Sequence, residues 1–139
     1  MSYKIIGKYI KELYFNIPNP KTFFLLSKDI ANYKINIDIK SSQTKKNIIE
    51  VFTSLSLTPT KNNFEIINTK IIYSTIVELE GDQPSKGEME KIILIEVPTK
   101  IYPELRKIFV FLFENSGFKD VKISENVDFN NLYKMRKVQ

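Results

Sequence analysis

The chain has 139 residues, 42% of them hydrophobic and 27% charged, which is ordinary for a folded protein. This length predicts a single domain over residues 1–139. Cysteine and histidine are absent, which excludes disulfides, thiolate and imidazole catalysis and the usual zinc ligands. Carboxylate or lysine chemistry stays open, but we predict a protein that is not an enzyme and needs neither a metal nor a cofactor.

The net charge of +5 is concentrated in the N-terminal half. Residues 1–63 contain ten lysines and four acids, a net charge of +6, whereas the remainder carries −1. Such asymmetry is typical of a face that binds nucleic acid or a membrane surface. These lysines alternate with apolar residues, however, and this alternation favours solvated strand faces.

The apolar runs are short. The longest ones, Ile92 to Ile95 and Ile108 to Phe113, cannot span a bilayer. The N-terminus lacks the continuous apolar stretch and the small-residue cleavage site of a signal peptide. We expect a cytoplasmic protein that does not insert into membranes.

Residues 4–17 are predicted to form a long strand with one buried and one partly covered face. The side chains expected on the buried face are Ile5, Tyr9, Leu13, Phe15 and Ile17. Pro18 and Pro20 then end the strand, because prolines are confined to the edges and ends of sheets. The following segment, residues 21–32, shows no clear periodicity but is too apolar for a free linker.

The next stretches predict three further strands. Residues 33–40 alternate most cleanly, with Tyr33, Ile35, Ile37 and Ile39 on one face. Residues 48–58 are rich in β-branched side chains, and a turn signal at 59–63 joins them to residues 64–80. Four successive strands with short links predict an antiparallel sheet, because parallel neighbours need crossover helices.

The second half predicts helices. Ser85 and Glu88 have the spacing of a capping box and begin a helix that Pro98 is expected to end. Pro103 is expected at the first position of the next helix, and Gly117 ends it. Asp128 caps a last short helix. The fold class is therefore α+β, with strands in about residues 4–80 and two or three helices in about 85–136.

Two apolar surfaces lack an obvious partner in the chain. In the helix of residues 103–117, Val110 and Phe111 lie opposite the regular apolar stripe, so the helix is apolar nearly all round. A subunit interface formed by Ile108, Val110 and Phe111 is favoured over a locally thick core, because such a patch is unusual in a monomer. The run Phe23 to Leu26 either packs inward or walls a groove for an apolar ligand, and both interpretations stay open.

Close pairs of acids do not point to catalysis. Glu88 and Glu90 are two residues apart on a predicted helix and point away from each other. Glu78 and Glu80 end a strand beside a polar loop. Solvated carboxylates are the favoured interpretation of both pairs.

Three segments, in order along the chain, resemble the SecB family of export chaperones. Residues Tyr9 to Pro20 are similar to the opening strand of the family, Y-x-K-D-x-S-F-E-x-P-x-P in outline. Residues Pro98 to Arg106 resemble its P-x-x-L-F-P-Y-A-R segment, which enters the main helix. Residues Val127 to Tyr133 resemble V-N-F-D-A-L-F at the start of its last helix.

The resemblance implies a four-stranded antiparallel sheet backed by helices, edge-strand pairing into dimers, and dimers joined through helices into a tetramer. It also implies an ATP-independent holding chaperone that keeps unfolded precursor proteins competent for export. The client groove that it implies is formed by Phe23, Phe24, Leu26, Ile35, Ile37, Ile39 and Leu132.

The resemblance further implies that the partner SecA docks on acidic residues of the sheet face. Glu12 keeps one such acid, but Asn16, Asn68 and Lys70 depart from the residue types of the family. These departures weaken the expectation of coupling to SecA. They leave open a SecB-like chaperone that acts without SecA, for example one associated with a toxin–antitoxin pair.

The competing hypothesis is a basic nucleic-acid-binding module. It requires lysines and aromatics that converge on one surface, and the candidates are Lys4, Lys8, Lys34, Lys40 and Tyr14. A small-molecule carrier that uses the groove is a third possibility, although no polar residue specifies a ligand.

Overall fold

The computed structural model describes residues 3–30, 33–60, 68–81, 84–118 and 123–138. The strands are β1 (Tyr3–Asn16), β2 (Tyr33–Lys45), β3 (Ile48–Pro59) and β4 (Asn68–Leu79). The α-helices are α1 (Pro20–Asp29), α2 (Lys86–Lys91), α3 (Val97–Glu114) and α4 (Phe129–Val138), and a π-helical segment (Ile92–Glu96) joins α2 to α3. Most of the predicted turn at 59–63 lies outside the described residues.

The four strands form one antiparallel sheet in the order β1-β4-β3-β2. This confirms the predicted α+β fold with an antiparallel sheet. β1 and β2 follow each other in the chain but lie at opposite edges of the sheet, so the connection that contains α1 runs from one edge to the other.

Helices cover one face of the sheet, here called the helix face, and the opposite face is called the outer face. The centre of the helix face is apolar and completely buried, because β3 and β4 are flanked on both sides by other strands and covered by α3. Its strand residues are Val51, Leu55, Ile71 and Val77, and α3 adds Ile101, Leu105, Phe109 and Phe113. Burying each of these side chains contributes about 1.5–3 kcal/mol, and this layer is the core of the fold.

β1 does not keep one buried face along its length. Its register against β4 shifts between Ile5 and Gly7 and again between Ile10 and Glu12. Each β-bulge adds one residue, and one extra residue moves the following side chains to the other face of the sheet. The prediction for Tyr9 is therefore wrong: its side chain lies on the outer face, where its hydroxyl bonds to Glu50.

Residues 20–29 form a helix, so the expectation of an aperiodic segment there is wrong. The Asn19 side chain accepts a hydrogen bond of 2.8 Å from the backbone N–H of Thr22 and caps the helix. Pro20 occupies the first turn, where its missing N–H costs nothing. Thr22 and Leu26, four residues apart, are both buried and anchor α1 to the core.

The helical run from Lys86 to Glu114 is continuous, so Pro98 does not end it as predicted. The Val97 N–H bonds to the Ile92 carbonyl, the i to i+5 bond of a π-turn. Pro98 then lies in the first turn of α3, a position that tolerates proline. Pro103 lies inside α3 and not at its start.

The other predicted helix ends are confirmed. The Ser85 hydroxyl accepts a bond of 3.2 Å from the Glu88 N–H, and the Asp128 carboxylate accepts one of 2.9 Å from the Asn131 N–H. Gly117 follows α3 with a φ of 92°, a left-handed conformation that glycine adopts without strain.

Candidate functional site

A pocket of about 260 Å³ lies on the helix face, beside the edge strand β2. Three elements line it: β2, the π-helical segment and α4. The lining residues are Ile37, Asp38, Ile39, Leu94, Phe129, Leu132 and Tyr133. Most of this lining is apolar.

The alternation of β2 turns Ile37 and Ile39 toward the helices. Ile37 pairs with Leu55 and Ile39 with Thr53, and both of these β3 residues are buried on the helix face. Ile37 and Ile39 are nevertheless only half-buried, because β2 is an edge strand and α3 contacts β3 and β4. The edge of the sheet therefore keeps apolar surface partly open to solvent.

Helix α4 forms the second wall of the pocket. Phe129 is 2% exposed and contacts the ring of Tyr102 edge-on, with ring centroids 6.0 Å apart. The Tyr133 hydroxyl donates a hydrogen bond of 2.9 Å to the carboxylate of Glu90 in α2. These two contacts fix α4, and they leave Leu132 44% exposed at the pocket.

The π-helical segment forms the third wall through Leu94. The π-helical segment contacts both β2 and α4. Ile92 and Val97, five residues apart, are both buried in the same part of the core, a spacing that fits the π-turn. Leu94 lies between them and is half-buried at the pocket.

The structure brings together three of the residues predicted for the groove: Ile37, Ile39 and Leu132. Ile35 lies on the same face of β2 and is half-buried, but it does not line the pocket. Leu94 was not predicted, although it lies in the apolar run 92–95 that the sequence displays.

The predicted groove residues of α1 differ in their exposure. Phe24 is 69% exposed, whereas Leu26 is 1% exposed and packs in the core. Phe23 is half-buried between Phe24 and Phe118, with ring centroids 5.5 and 5.0 Å away. Of the three, only Phe24 presents most of its side chain to solvent.

The residues predicted to contact other proteins lie elsewhere on the surface. Glu12, Asn16 and Lys70 are exposed residues of the outer-face rows of β1 and β4, and the side chain of Asn68 lies outside the described part of the chain. On α3, Phe111 is 60% exposed, whereas Ile108 and Val110 are half-buried and pack partly on the core.

Of the residues proposed for nucleic-acid binding, Lys8 lies on a different face from Lys4, Lys34, Lys40 and Tyr14, which share the outer face. Lys8 reaches α3 on the helix side, where its ammonium lies 2.8 Å from the Glu104 carboxylate. Lys34 and Lys40 alternate with the helix-face residues of β2 and so lie on the outer side. Lys4 pairs with Glu78 at 3.5 Å.

No group of three or more acidic, histidine or cysteine residues within the described residues is arranged to hold a metal ion. No described helix is both long enough and apolar enough to cross a membrane.

Comparisons with known proteins agree with this fold. The whole chain, residues 1–139, matches the family described as preprotein translocase subunit SecB. A putative protein-export protein SecB of Pelagibacter ubique is 41% identical over 97% of this chain and 96% of its own length. The protein-export protein SecB of Anaplasma phagocytophilum is 24% identical over 94% of this chain and 89% of its own length.

A solved structure shares the fold at low sequence identity. It is a SecB-like chaperone of Mycobacterium tuberculosis in complex with a peptide from an antitoxin, with a TM-score of 0.56, 9% identity, and coverage of 88% of this chain and 89% of the other. The family match over the full chain and the close relative agree with the three motifs found in the sequence. The chain belongs to the SecB family of protein-export chaperones, which are not enzymes.

Proposed function

We propose that the pocket between β2, the π-helical segment and α4 receives apolar side chains of unfolded precursor proteins. The observation that carries this proposal is that Ile37, Ile39 and Leu132 remain partly uncovered around one cavity of about 260 Å³. An apolar cavity of about 150 Å³ accommodates a benzene ring, so this pocket has room for one large side chain. Burying that side chain contributes about 1.5–3 kcal/mol and requires neither ATP nor a covalent step.

Helix α1 supplies a further contact for the same extended client. Phe24 and Leu25 are both exposed on this helix, and the ring of Phe23 supports that of Phe24. A long client that visits several weak sites gains avidity without a sequence motif. Ordering the client costs part of this gain, which keeps binding reversible.

A second copy of the chain covers the β1 edge and α3. Two side-chain contacts join α3 to β1: the Glu104 carboxylate binds Lys8 near the middle of the strand, and the Phe113 ring contacts Phe15 near its end. Between these contacts, Ile10 and Leu13 are exposed on β1, and Phe111 is exposed on α3. The exposed residues Ile10 and Leu13 support assembly into a homodimer through the β1 edge, and the exposed Phe111 supports the joining of two such dimers through α3 into a homotetramer.

The outer face carries the predicted contact for SecA. Glu12 supplies an acid there, but Lys70 supplies the opposite charge two strand positions from Ile72, the register partner of Glu12. We expect this face to bind SecA less tightly than a uniformly acidic face would, which favours a chaperone that acts without SecA as the second candidate. Titration calorimetry with purified SecA tests this: Lys70→Glu should tighten binding, and an unchanged affinity would contradict it.

The pocket is tested with two variants of the same helix. Leu132 lines the pocket and is 44% exposed, whereas Met135 is 54% exposed and does not line it. We expect Leu132→Ser to lower the affinity for a urea-unfolded precursor about tenfold or more, because one apolar contact is lost. Met135→Ser should leave the affinity within about twofold.

The measurement is fluorescence anisotropy of the labelled precursor, with light scattering as a readout of suppressed aggregation. Circular dichroism controls for folding of both variants. Equal affinities of Leu132→Ser, Met135→Ser and the wild type would contradict the proposal.

A further inference from the structure

Leu94 occupies an unusual position for a pocket residue, because the backbone that carries it is π-helical. The i to i+5 bond from the Val97 N–H to the Ile92 carbonyl widens the turn by one residue. Ile92 and Val97, the two ends of this turn, are both buried and hold it in the core. The intervening Leu94 reaches the pocket that β2 and α4 line.

The other walls of the pocket are held in place. Ile37 and Ile39 belong to a stretch of β2 that is paired with β3 without a register shift from Tyr33 to Gln43. Tyr133 is tied to α2 by its hydrogen bond to Glu90. Because these walls are fixed, replacing Leu94 with a smaller or larger residue should change the volume of the pocket and leave the other walls in place.

We infer that Leu94 determines which size of client side chain the pocket prefers. This inference rests on the proposed function, since it requires that clients enter the pocket. A smaller residue at position 94 opens room for a bulky aromatic side chain, and a larger one excludes aromatic side chains before aliphatic ones. The π-turn thus supplies a determinant of specificity for the holding activity.

Two unfolded client polypeptides test the inference. They share one polar sequence and differ only in their apolar guest positions, which are all leucine in one and all phenylalanine in the other. The measured quantity is the ratio of the two dissociation constants. A single methylene in an apolar pocket changes discrimination between two ligands by about tenfold or more. Leu94→Ala should therefore shift the ratio of dissociation constants about tenfold in favour of the phenylalanine client. Leu94→Phe should shift it about as far in favour of the leucine client.

Ile93 provides a matched control. It has the same number of carbon atoms as Leu94, lies in the same π-helical segment and is also half-buried, but it packs against the core and does not line the pocket. Ile93→Ala should leave the ratio unchanged even where it lowers the stability of the fold. Opposite shifts for the two Leu94 variants cannot arise from destabilisation, which would weaken both clients together.

Each outcome decides one point. If both Leu94 variants change the two affinities by the same factor, or if Ile93→Ala shifts the ratio equally, the inference is overturned. If Leu132→Ser weakens client binding while the ratio stays flat in the Leu94 variants, only the role of Leu94 fails. If Leu132→Ser has no effect, the proposed pocket itself fails.

Discussion

The two edge strands of the sheet differ in their regularity. β2 keeps one alternation from Tyr33 to Gln43, so its isoleucines stay on the helix face beside the pocket. β1 contains two bulges, at Ile6 and Lys11, and its alternation reverses at each of them. As a result, Ile5, Tyr9 and Leu13, which simple alternation would place on one face, are divided between the two faces, with Tyr9 on the outer face and the other two on the helix face.

This difference separates two kinds of surface on one sheet. A regular edge strand lines up its apolar residues and builds one wall of a pocket. A bulged edge strand divides its apolar residues between the two faces of the sheet. Under the proposal made above, clients bind at the β2 edge, and a second copy of the chain covers the exposed Ile10 and Leu13 of the β1 edge.

The largest expected effect comes from deleting one residue in each strand. Deleting Ile6 removes a bulged residue and leaves every other pair of β1 and β4 in register, so the free energy of unfolding should change by less than about 1 kcal/mol. Deleting Asn36 in β2 moves residues on one side of it to the wrong face. Because at least two isoleucine or tyrosine side chains then become exposed, the free energy of unfolding should fall by about 3–6 kcal/mol.

Urea denaturation measures both deletions. A similar loss of stability in the two variants would show that the bulge at Ile6 is not a separable insertion. If the Asn36 deletion lowers the free energy of unfolding by less than expected, β2 can shift its register against β3 at little cost.

A second pair of variants separates assembly from client binding. Ile39→Ser should weaken binding of an unfolded precursor by about 1.5–3 kcal/mol, roughly tenfold to a hundredfold, and leave the molecular mass in solution unchanged. Ile10→Ser should shift the mass toward the smaller species and leave the intrinsic affinity of each pocket unchanged. Light scattering with size-exclusion chromatography measures the mass. The division between the two edges would be wrong if each variant changed both properties.

The smallest expected effect concerns two side-chain hydrogen bonds to Glu50 on the outer face. Glu50 of β3 accepts bonds from the hydroxyls of Ser74 in β4, at 2.5 Å, and of Tyr9 in β1. The Ser74 bond, followed by the Tyr9 bond, lowers the pKa of Glu50 below its ordinary value of 4.5. A carboxylate with a lowered pKa in the folded state stabilises the fold above pH 4.5, and this stability is lost as the pH falls through the lowered value.

Ser74→Ala should therefore cost about 1 kcal/mol at pH 7, since Glu50 is partly exposed and a bond to a charged group contributes about 1.5–3 kcal/mol when buried. It should also flatten the fall in stability below pH 4.5. Tyr14→Phe, on the same face of β1 as Tyr9, is the control and should leave the decrease in stability below pH 4.5 unchanged. Urea denaturation at several pH values measures this effect. An equal decrease in stability below pH 4.5 in Ser74→Ala and the wild type would contradict the role given to Glu50.

Much of the fold could be predicted from local patterns. The alternation of residues 33–40, the capping residues Ser85 and Asp128, and the stop at Gly117 each act through neighbours in the chain. The order of the sheet was not predictable in this way, because the pairing of β1 with β4 depends on contacts between distant residues. The bulges could not be predicted for a related reason, because a bulge is defined only by the register of a strand against its partner.

Two helical features were missed although their signals were present. Asn19 and Pro20 form a helix start, and Thr22 and Leu26 are four residues apart, but the adjacent phenylalanines hid this periodicity. Pro98 suggested a helix end, whereas the π-turn places this proline in the first turn of α3. Leu94 could not be assigned to the pocket from the sequence, because α-helical periodicity does not describe a π-turn.

The central claim, that clients enter the pocket beside β2, is tested most directly by site-specific photocrosslinking. A photoreactive amino acid is placed at position 132, with position 135 on the same helix as the control, and each protein is mixed with an unfolded precursor and irradiated. The account predicts crosslinks to the precursor from position 132, competed by excess unlabelled client, and few from position 135. Equal crosslinking from the two positions, or none from position 132, would contradict it.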